Sequence, residues 1–250
     1  MSATTQPHLI LHVLPPSHPC ATVEAALRLK GLEYEKVEFG AGKHIEPMTE
    51  LYGSHTVPGM LIDDEPVHGS NPIMERLEQL APDAPSLYPA ERAEAVREAA
   101  AWGDAHLQDL GRRLPWGSLY FRPEALGTFA PGGQPLDPAG TDYAIRFVRG
   151  TMKYHNMTMV QVAEDLQRLP ALLDQVDAYV SDGVLANVTP NAADFQIGAT
   201  LSVLLTVGDV KPLIEARPAA AVARKWFDDR PGIVPAGAFP AGWVPTPRFD

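Results

Sequence analysis

Apolar positions along this chain follow two rhythms, which change over near residue 82. Before that point, short apolar runs alternate with helical stripes. Residues 8–14 form an apolar run stopped by Pro15 and Pro16, which predicts a buried strand. Ser17 then stands where a helix N-cap belongs, with Pro19 in the first turn. Val23, Ala26, Leu27 and Lys30 make one helical stripe, and Gly31 ends it. Residues 34–39 predict a second strand, partly exposed because Glu33, Glu35 and Lys36 lie at or within it. A strand–helix–strand unit should place its strands parallel, with a right-handed crossover. Residues 43–52 predict a short helix at best, interrupted at Pro47 and closed by Gly53. Residues 57–62, a turn at Asp63 and Asp64, and residues 66–68 predict a hairpin. Pro58 has no N–H for a ladder, so it belongs at the first position or the edge of its strand. Ser70 is expected to cap the next helix, with Pro72 in its first turn and Ile73, Leu77 and Leu80 on one face. The predicted order is β-α-β-α-β-β-α.

Residues 82–85 (PDAP) read as a linker, and the pattern beyond is helical throughout. Ala93, Val96, Ala100, Gly103, Leu107, Leu110 and Leu114 keep spacings of three and four, the seam of one long packed helix. Residues 115–141, rich in Gly and Pro, predict an extended loop of a length unusual in a compact domain. A second helix begins over 143–153. A further seam runs from Val162 through Leu166, Leu169, Leu173 and Val176 to Val180, with Pro170 predicting a kink or break. Asn191 and Asp194 form a variant capping box before residues 195–207, apolar nearly all round and therefore buried. Pro218 starts a last helix through Trp226, and a Pro-rich tail covers 231–250. The domain plan is 1–82, a linker over 83–90, and a helical domain over 91–250 that includes the tail.

Composition narrows the function. A formal charge of −11 and a pI near 5.1 argue against nucleic acid or an anionic membrane as partner. No apolar run is long enough to span a bilayer. The polar start of the chain and the short run at 9–14 do not suit a signal peptide, so the expected location is cytoplasmic. The single cysteine, Cys20, leaves no internal disulfide and no cysteine-built metal site.

Val57-Pro58 before a strand, the Gly69-Ser70-x-x-Ile73 helix start and the Asn191-x-x-Asp194 box, in that order, resemble the glutathione S-transferase family. The resemblance implies an α/β thioredoxin-like N-terminal domain followed by an all-α C-terminal domain. It leaves the 115–141 loop and the tail unaccounted for. It also implies a cis Val57-Pro58 bond, and a Val57 backbone that pairs with the cysteinyl backbone of glutathione. The thiol's γ-glutamyl carboxylate would meet Ser70 at the helix start, where free N–H groups favour anions, and Asn71 is a neighbouring candidate. Lys43, His44 or His55 would meet the glycyl carboxylate. The family usually carries Glu or Gln just before that serine, whereas this chain has Gly69, which leaves the identity of the thiol open.

The same resemblance puts the chemistry at Ser17-His18-Pro19-Cys20. A helix N-terminus lowers the pKa of a bound thiol, and a Ser hydroxyl adds a hydrogen bond to the sulfur. Ser17 is thus the expected thiolate stabiliser and Cys20 the second choice. Trp102, His106, Arg113, Trp116 and Tyr120 are the candidate contacts for the second substrate. The implied activity is a glutathione transferase-like enzyme that activates a low-molecular-weight thiol for attack on a small hydrophobic electrophile. Isomerase, dehalogenase or ether-cleaving variants of that chemistry stay open. The implied assembly is a homodimer, with no metal. Two other readings stand beside it. One is a non-catalytic ligand-binding or assembly module of the same fold, in which Ser17 is only a cap. The other is a thiol–disulfide oxidoreductase, which would need Cys20 as nucleophile.

Overall fold

The structure, a computed structural model, describes residues 7–130 and 132–246. The first six residues of the polar N-terminal segment and the last four of the Pro-rich tail lie outside it. A four-stranded sheet in the order β2-β1-β3-β4 is built from β1 (Leu9–Val13), β2 (Glu35–Glu38), β3 (Gly59–Ile62) and β4 (Glu65–His68). β1 pairs parallel with β2 and antiparallel with β3, and β3 pairs antiparallel with β4. Helix α1 (His18–Lys30) makes the crossover between the parallel strands, and the sequence stripe Val23, Ala26, Leu27 and Lys30 is its buried face. Lys30 is buried because its ammonium pairs with Glu78 at 2.9 Å. Asp63 and Asp64 take positive φ in the hairpin turn, as a two-residue connection between twisted strands requires. The bonds preceding Pro16 and Pro58 are cis.

Two expectations in this domain are corrected. Pro47 does not interrupt α2 (Ile45–Tyr52), because it falls in the first turn, where an N–H would have no intrahelical acceptor. Ser70 does not cap α3 (Ser70–Leu80): it is the first helical residue, and Gly69 precedes it at φ 91, a conformation that favours glycine.

The helical domain comprises α4 (Ala93–His106), α5 (Gln108–Phe121), α6 (Pro138–Tyr154), α7 (Met159–Ser181), α8 (Ala192–Leu204), α9 (Lys211–Glu215) and α10 (Ala219–Lys225). Helix α8 lies at its centre, buried along its whole length, and packs on α1, α4, α5 and α10. Its Asn191 side chain accepts from the Ala193 and Asp194 N–H groups, and Asp194 reaches back to the Asn191 N–H at 3.1 Å. A second capping box, Thr158 with Gln161, starts α7.

The predicted long helix is two, with the break at Leu107. The predicted loop over 115–141 is largely helical: α5 continues to Phe121 and a 3-10 helix covers Pro123–Phe129. Proline inside a helix forfeits one backbone bond, yet α5 runs through Pro115, and its glycines let it pack closely on its neighbours. A Cβ on Gly111 would come within 2.8 Å of Thr200, and one on Gly117 within 2.7 Å of Val162. Helix α7 runs unbroken through Pro170. The described part of the tail is folded onto the helices, with Val234, Ala238 and Phe239 buried.

Candidate active site

The turn after β1 delivers Ser17 to the N-terminus of α1. Ser17 is the N-cap, its hydroxyl accepting from the Cys20 N–H at 3.4 Å, and it opens on a cavity of about 220 Å³. That cavity lies between the sheet domain and the helices. Its floor is the β1–α1 turn with Thr56 and Val57; its walls are Arg112, Pro115 and Trp116 of α5, Leu126 and Phe129 of the 3-10 helix, and Tyr154 and His155 at the C-terminal end of α6. Thr206 and Arg230 close the far side.

His18, one residue into α1, is buried and donates from Nε2 to the Gln108 carbonyl at 3.1 Å. Gly111 leaves room for this ring, since a Cβ there would lie 3.1 Å from it. Burial, with Arg112 and Arg230 nearby, pushes the His18 pKa down to about 3, so the imidazole is neutral and fixed as the Nε2–H tautomer. His155 is lowered to about 4, first by burial and then by Arg112.

Cys20 takes no part in the cavity wall. It is 4% exposed, inside the α1 core contacts, and burial pushes its thiol up to about 11. A thiol so placed behaves as a small hydrophobe.

A second cleft adjoins the first, sharing Pro19, Thr56 and Val57 with it. Ser70, Asn71, Asp104 and Gln108 line it. Among the described residues, neither the Val57 N–H nor its C=O meets another backbone group, so this residue offers a donor and an acceptor to an extended ligand. The Asn71 Oδ1 is buried without a partner. The Ser70 hydroxyl donates to Gln196 Oε1 at 2.8 Å, and Gln196 Nε2 donates to Gln108 Oε1 at 2.9 Å and to Asp104 Oδ1 at 3.3 Å. One buried amide therefore ties the start of α3 to α4 and α5. Asp104 and Gln196 went unnoticed in the sequence because nothing local marks residues of α4 and α8 that meet each other, and reach Ser70, only in the folded chain.

Of the residues expected to meet the second substrate, Trp116 lines the Ser17 cavity and the others do not. Trp102 packs against His106 and Tyr179, with ring centroids 5.6 Å apart in each pair. Arg113 is held by Asp109 of its own helix and by Asp165 of α7 and does not line the cavity; its neighbour Arg112 lines the wall instead. Tyr120 is exposed and sits under Arg149, 5.8 Å from its ring. On α5 the seam residues Leu110 and Leu114 are buried in the core, and Arg112, Pro115, Trp116 and Leu119 face the site. His44 is buried at the cavity wall, whereas His55 is exposed, 5.5 Å ring to ring from Tyr154.

Residues 11–85 match the family model described as glutathione S-transferase, N-terminal domain. No curated protein sequence matches the chain. Three solved structures illustrate its likeness to known folds. The β-etherase LigF from Sphingobium sp. strain SYK-6 has a TM-score of 0.63 at 19% identity, over 87% of this chain and 93% of that one. GST1 from rice, solved in complex with glutathione, has 0.56 at 18% identity, over 88% and 86%. A glutathione S-transferase from Rhodospirillum rubrum F11 has 0.50 at 25% identity, over 87% and 85%. A thioredoxin-like sheet domain joined to a helical domain, with a cleft between them, defines the class. The N-terminal domain belongs to the glutathione S-transferase family, and the chain as a whole has that family's fold.

Proposed function

We propose that the protein is a glutathione transferase-like enzyme that activates a low-molecular-weight thiol at Ser17 for attack on a small apolar electrophile. The observation that carries this reading is the Ser17 hydroxyl at the α1 N-terminus, facing a cavity whose floor is the unpaired backbone of Val57. The thiol would lie across the two adjoining clefts. Its peptide-like backbone would pair with Val57, and its sulfur would sit at Ser17, under the α1 dipole. An amino-acid head group would enter the second cleft, its carboxylate on the N–H groups of Ser70 and Asn71, its ammonium between Asp104 and the unpartnered Asn71 Oδ1. A γ-glutamyl group has this charge pattern, which supports glutathione even though Gly69 supplies no side chain. His44 and His55 stand on the opposite side as candidates for the far carboxylate. The electrophile would occupy the apolar half of the cavity, against Trp116 and Phe129. The same reading takes residues 1–82 as the thiol-binding domain, 83–90 as the linker and 91–250 as the helical domain. It takes the protein to be a cytoplasmic homodimer, which light scattering would check. Among the described residues, no helix is long and apolar enough to cross a membrane.

The test is the pH–rate profile of the parent and Ser17→Ala with glutathione and 1-chloro-2,4-dinitrobenzene. A hydrogen bond to a charged sulfur is worth roughly 1.5–3 kcal/mol, so Ser17→Ala should slow conjugation about ten- to hundredfold near neutral pH. Part of the rate should return at higher pH, where the thiol ionises unaided. Loss of the cap alone would cost about 1 kcal/mol of stability and add no pH-dependent rate change. Profiles that overlay after correction for folded fraction would reduce Ser17 to a cap.

A further inference from the structure

Arg230 is a cation held by neutral partners. It follows α10 in the segment that leads into the tail, and it reaches the cavity from the side opposite α5. Its Nε donates to the Ser202 Oγ at 2.8 Å and its Nη1 to the Pro16 carbonyl at 3.0 Å, one residue from Ser17. The Ser202 hydroxyl spends its own proton on the Ala199 carbonyl at 2.9 Å, so both partners of Arg230 are neutral acceptors. Among the described residues Arg230 makes no ion pair, although Asp228 and Asp229 precede it in sequence, and its Nη2 meets no acceptor. Burial lowers its pKa to about 10, which still leaves it charged at neutral pH.

The rest of the wall sharpens the contrast. Arg112 is the other cation there, and its Nη1 is paired with Asp109 at 2.8 Å. No Asp or Glu lines the cavity, although the chain as a whole carries a formal charge of −11. A half-buried guanidinium with neutral partners loses hydration that an arriving anion would offset, and a charge-assisted bond partly shielded from water is stronger than one at the open surface. A neutral apolar ligand against Trp116 and Phe129 would leave that charge as it is.

We infer that the electrophile accepted in this cavity is an organic monoanion, an apolar or aromatic molecule bearing a carboxylate that Arg230 receives through its free Nη2. This deepens the reading of the cavity as the electrophile site and rests on it. Arg230 thereby becomes a specificity-determining residue, and Ser17 keeps its role toward the thiol.

The experiment is calorimetric titration of the full chain, without thiol, with 4-methylbenzoate and with its neutral isostere 4-methylbenzamide. The acid should bind about tenfold more tightly or better, and Arg230→Gln should bring the two within about twofold. Equal affinities in the parent overturn the inference, as does a ratio that survives in Arg230→Gln. A fall of both affinities together in that variant also overturns it, since that would make Arg230 a packing residue. Should Arg230→Gln fail to fold, the parent's acid-to-amide ratio still decides whether the cavity prefers an anion. Arg230→Lys, which keeps the charge, should then retain part of the ratio. Because no thiol is present, the outcome is independent of the Ser17 pH–rate test. Either result can fail alone, so failure of the thiol chemistry and failure of the anion site are distinguishable.

Discussion

At the scale of the residue, the site is arranged around a histidine that does not titrate where histidines usually do. His18 is locked by its bond to the Gln108 carbonyl and by the missing Cβ of Gly111, and burial holds it neutral down to about pH 3. In the unfolded chain it would take up a proton near pH 6.5. Between those values the native state binds fewer protons than the unfolded state, so stability is full above pH 6.5 and falls as the pH drops through this window. One proton contributes about 1.4 kcal/mol per pH unit, which makes the loss from His18 about 2 kcal/mol at pH 5. Glutamine keeps a donor for the Gln108 carbonyl but cannot titrate. Urea denaturation at pH 7 and pH 5 should therefore show a smaller acid loss for His18→Gln than for the parent. Equal losses would place the acid sensitivity elsewhere, with His155 the next group to test.

At the scale of the element, what could be read from the sequence was whatever ends or begins locally. Ser17 as N-cap, Gly31 as terminator and the Asn191–Asp194 box were all legible, because capping is a matter of a few neighbouring residues. The box has a further reach that is not local: the Asp194 carboxylate also accepts from the Ala186 N–H at 2.7 Å, pinning the loop before α8. Replacing Asp194 by Ala would leave two largely buried N–H groups unsatisfied at the head of the helix on which α1, α4, α5 and α10 pack. We expect Asp194→Ala to destabilise the protein by about 2–4 kcal/mol, measured by thermal or urea unfolding. Asp194→Asn, which keeps one acceptor oxygen, should recover part of it. A change below about 0.5 kcal/mol in Asp194→Ala would mean the box is redundant. The course of α5 beyond Leu114 was not legible, for the opposite reason. Pro115 and Gly117 read as loop residues, whereas Gly111 lies within the predicted helical seam. That stretch is helical in the structure, and there Gly111 and Gly117 make room for Thr200, His18 and Val162, residues supplied by other elements. The same distance in sequence hid Arg230 from the Ser17 cavity and Gln196 from Ser70.

At the scale of the whole molecule, the chain's last described stretch decides whether the cavity has a far wall. Residues 231–246 are a Pro-rich stretch with no helix or extended strand among them, yet they are tied to the helical domain at several places, Ile233 exchanging bonds with the Thr128 hydroxyl among them. Val234 exchanges backbone bonds of 2.8 Å with Thr206 and Gly208; Gln167 Nε2 donates to the Trp243 carbonyl at 2.8 Å, and the Trp243 ring lies 5.9 Å from that of Phe121. The tie at Asp209 is the most concentrated, since its carboxylate accepts from the N–H groups of Gly237, Ala238 and Phe239. Arg230 and Pro231 leave for the cavity just before this belt, so the belt fixes the direction from which Arg230 approaches Pro16. Asp209→Ala should free the tail without touching any residue of the site. Hydrogen bonds to a carboxylate are each worth roughly 1.5–3 kcal/mol, but these lie near the surface, so a total of about 2–3 kcal/mol is expected. Limited proteolysis should cut the 231–246 stretch faster in the variant than in the parent, and the preference for 4-methylbenzoate over 4-methylbenzamide should shrink although Arg230 is intact. Digestion at the parent's rate would show that the tail is held without Asp209. A released tail with an undiminished preference would show that Arg230 is positioned by Ser202 and Pro16 alone.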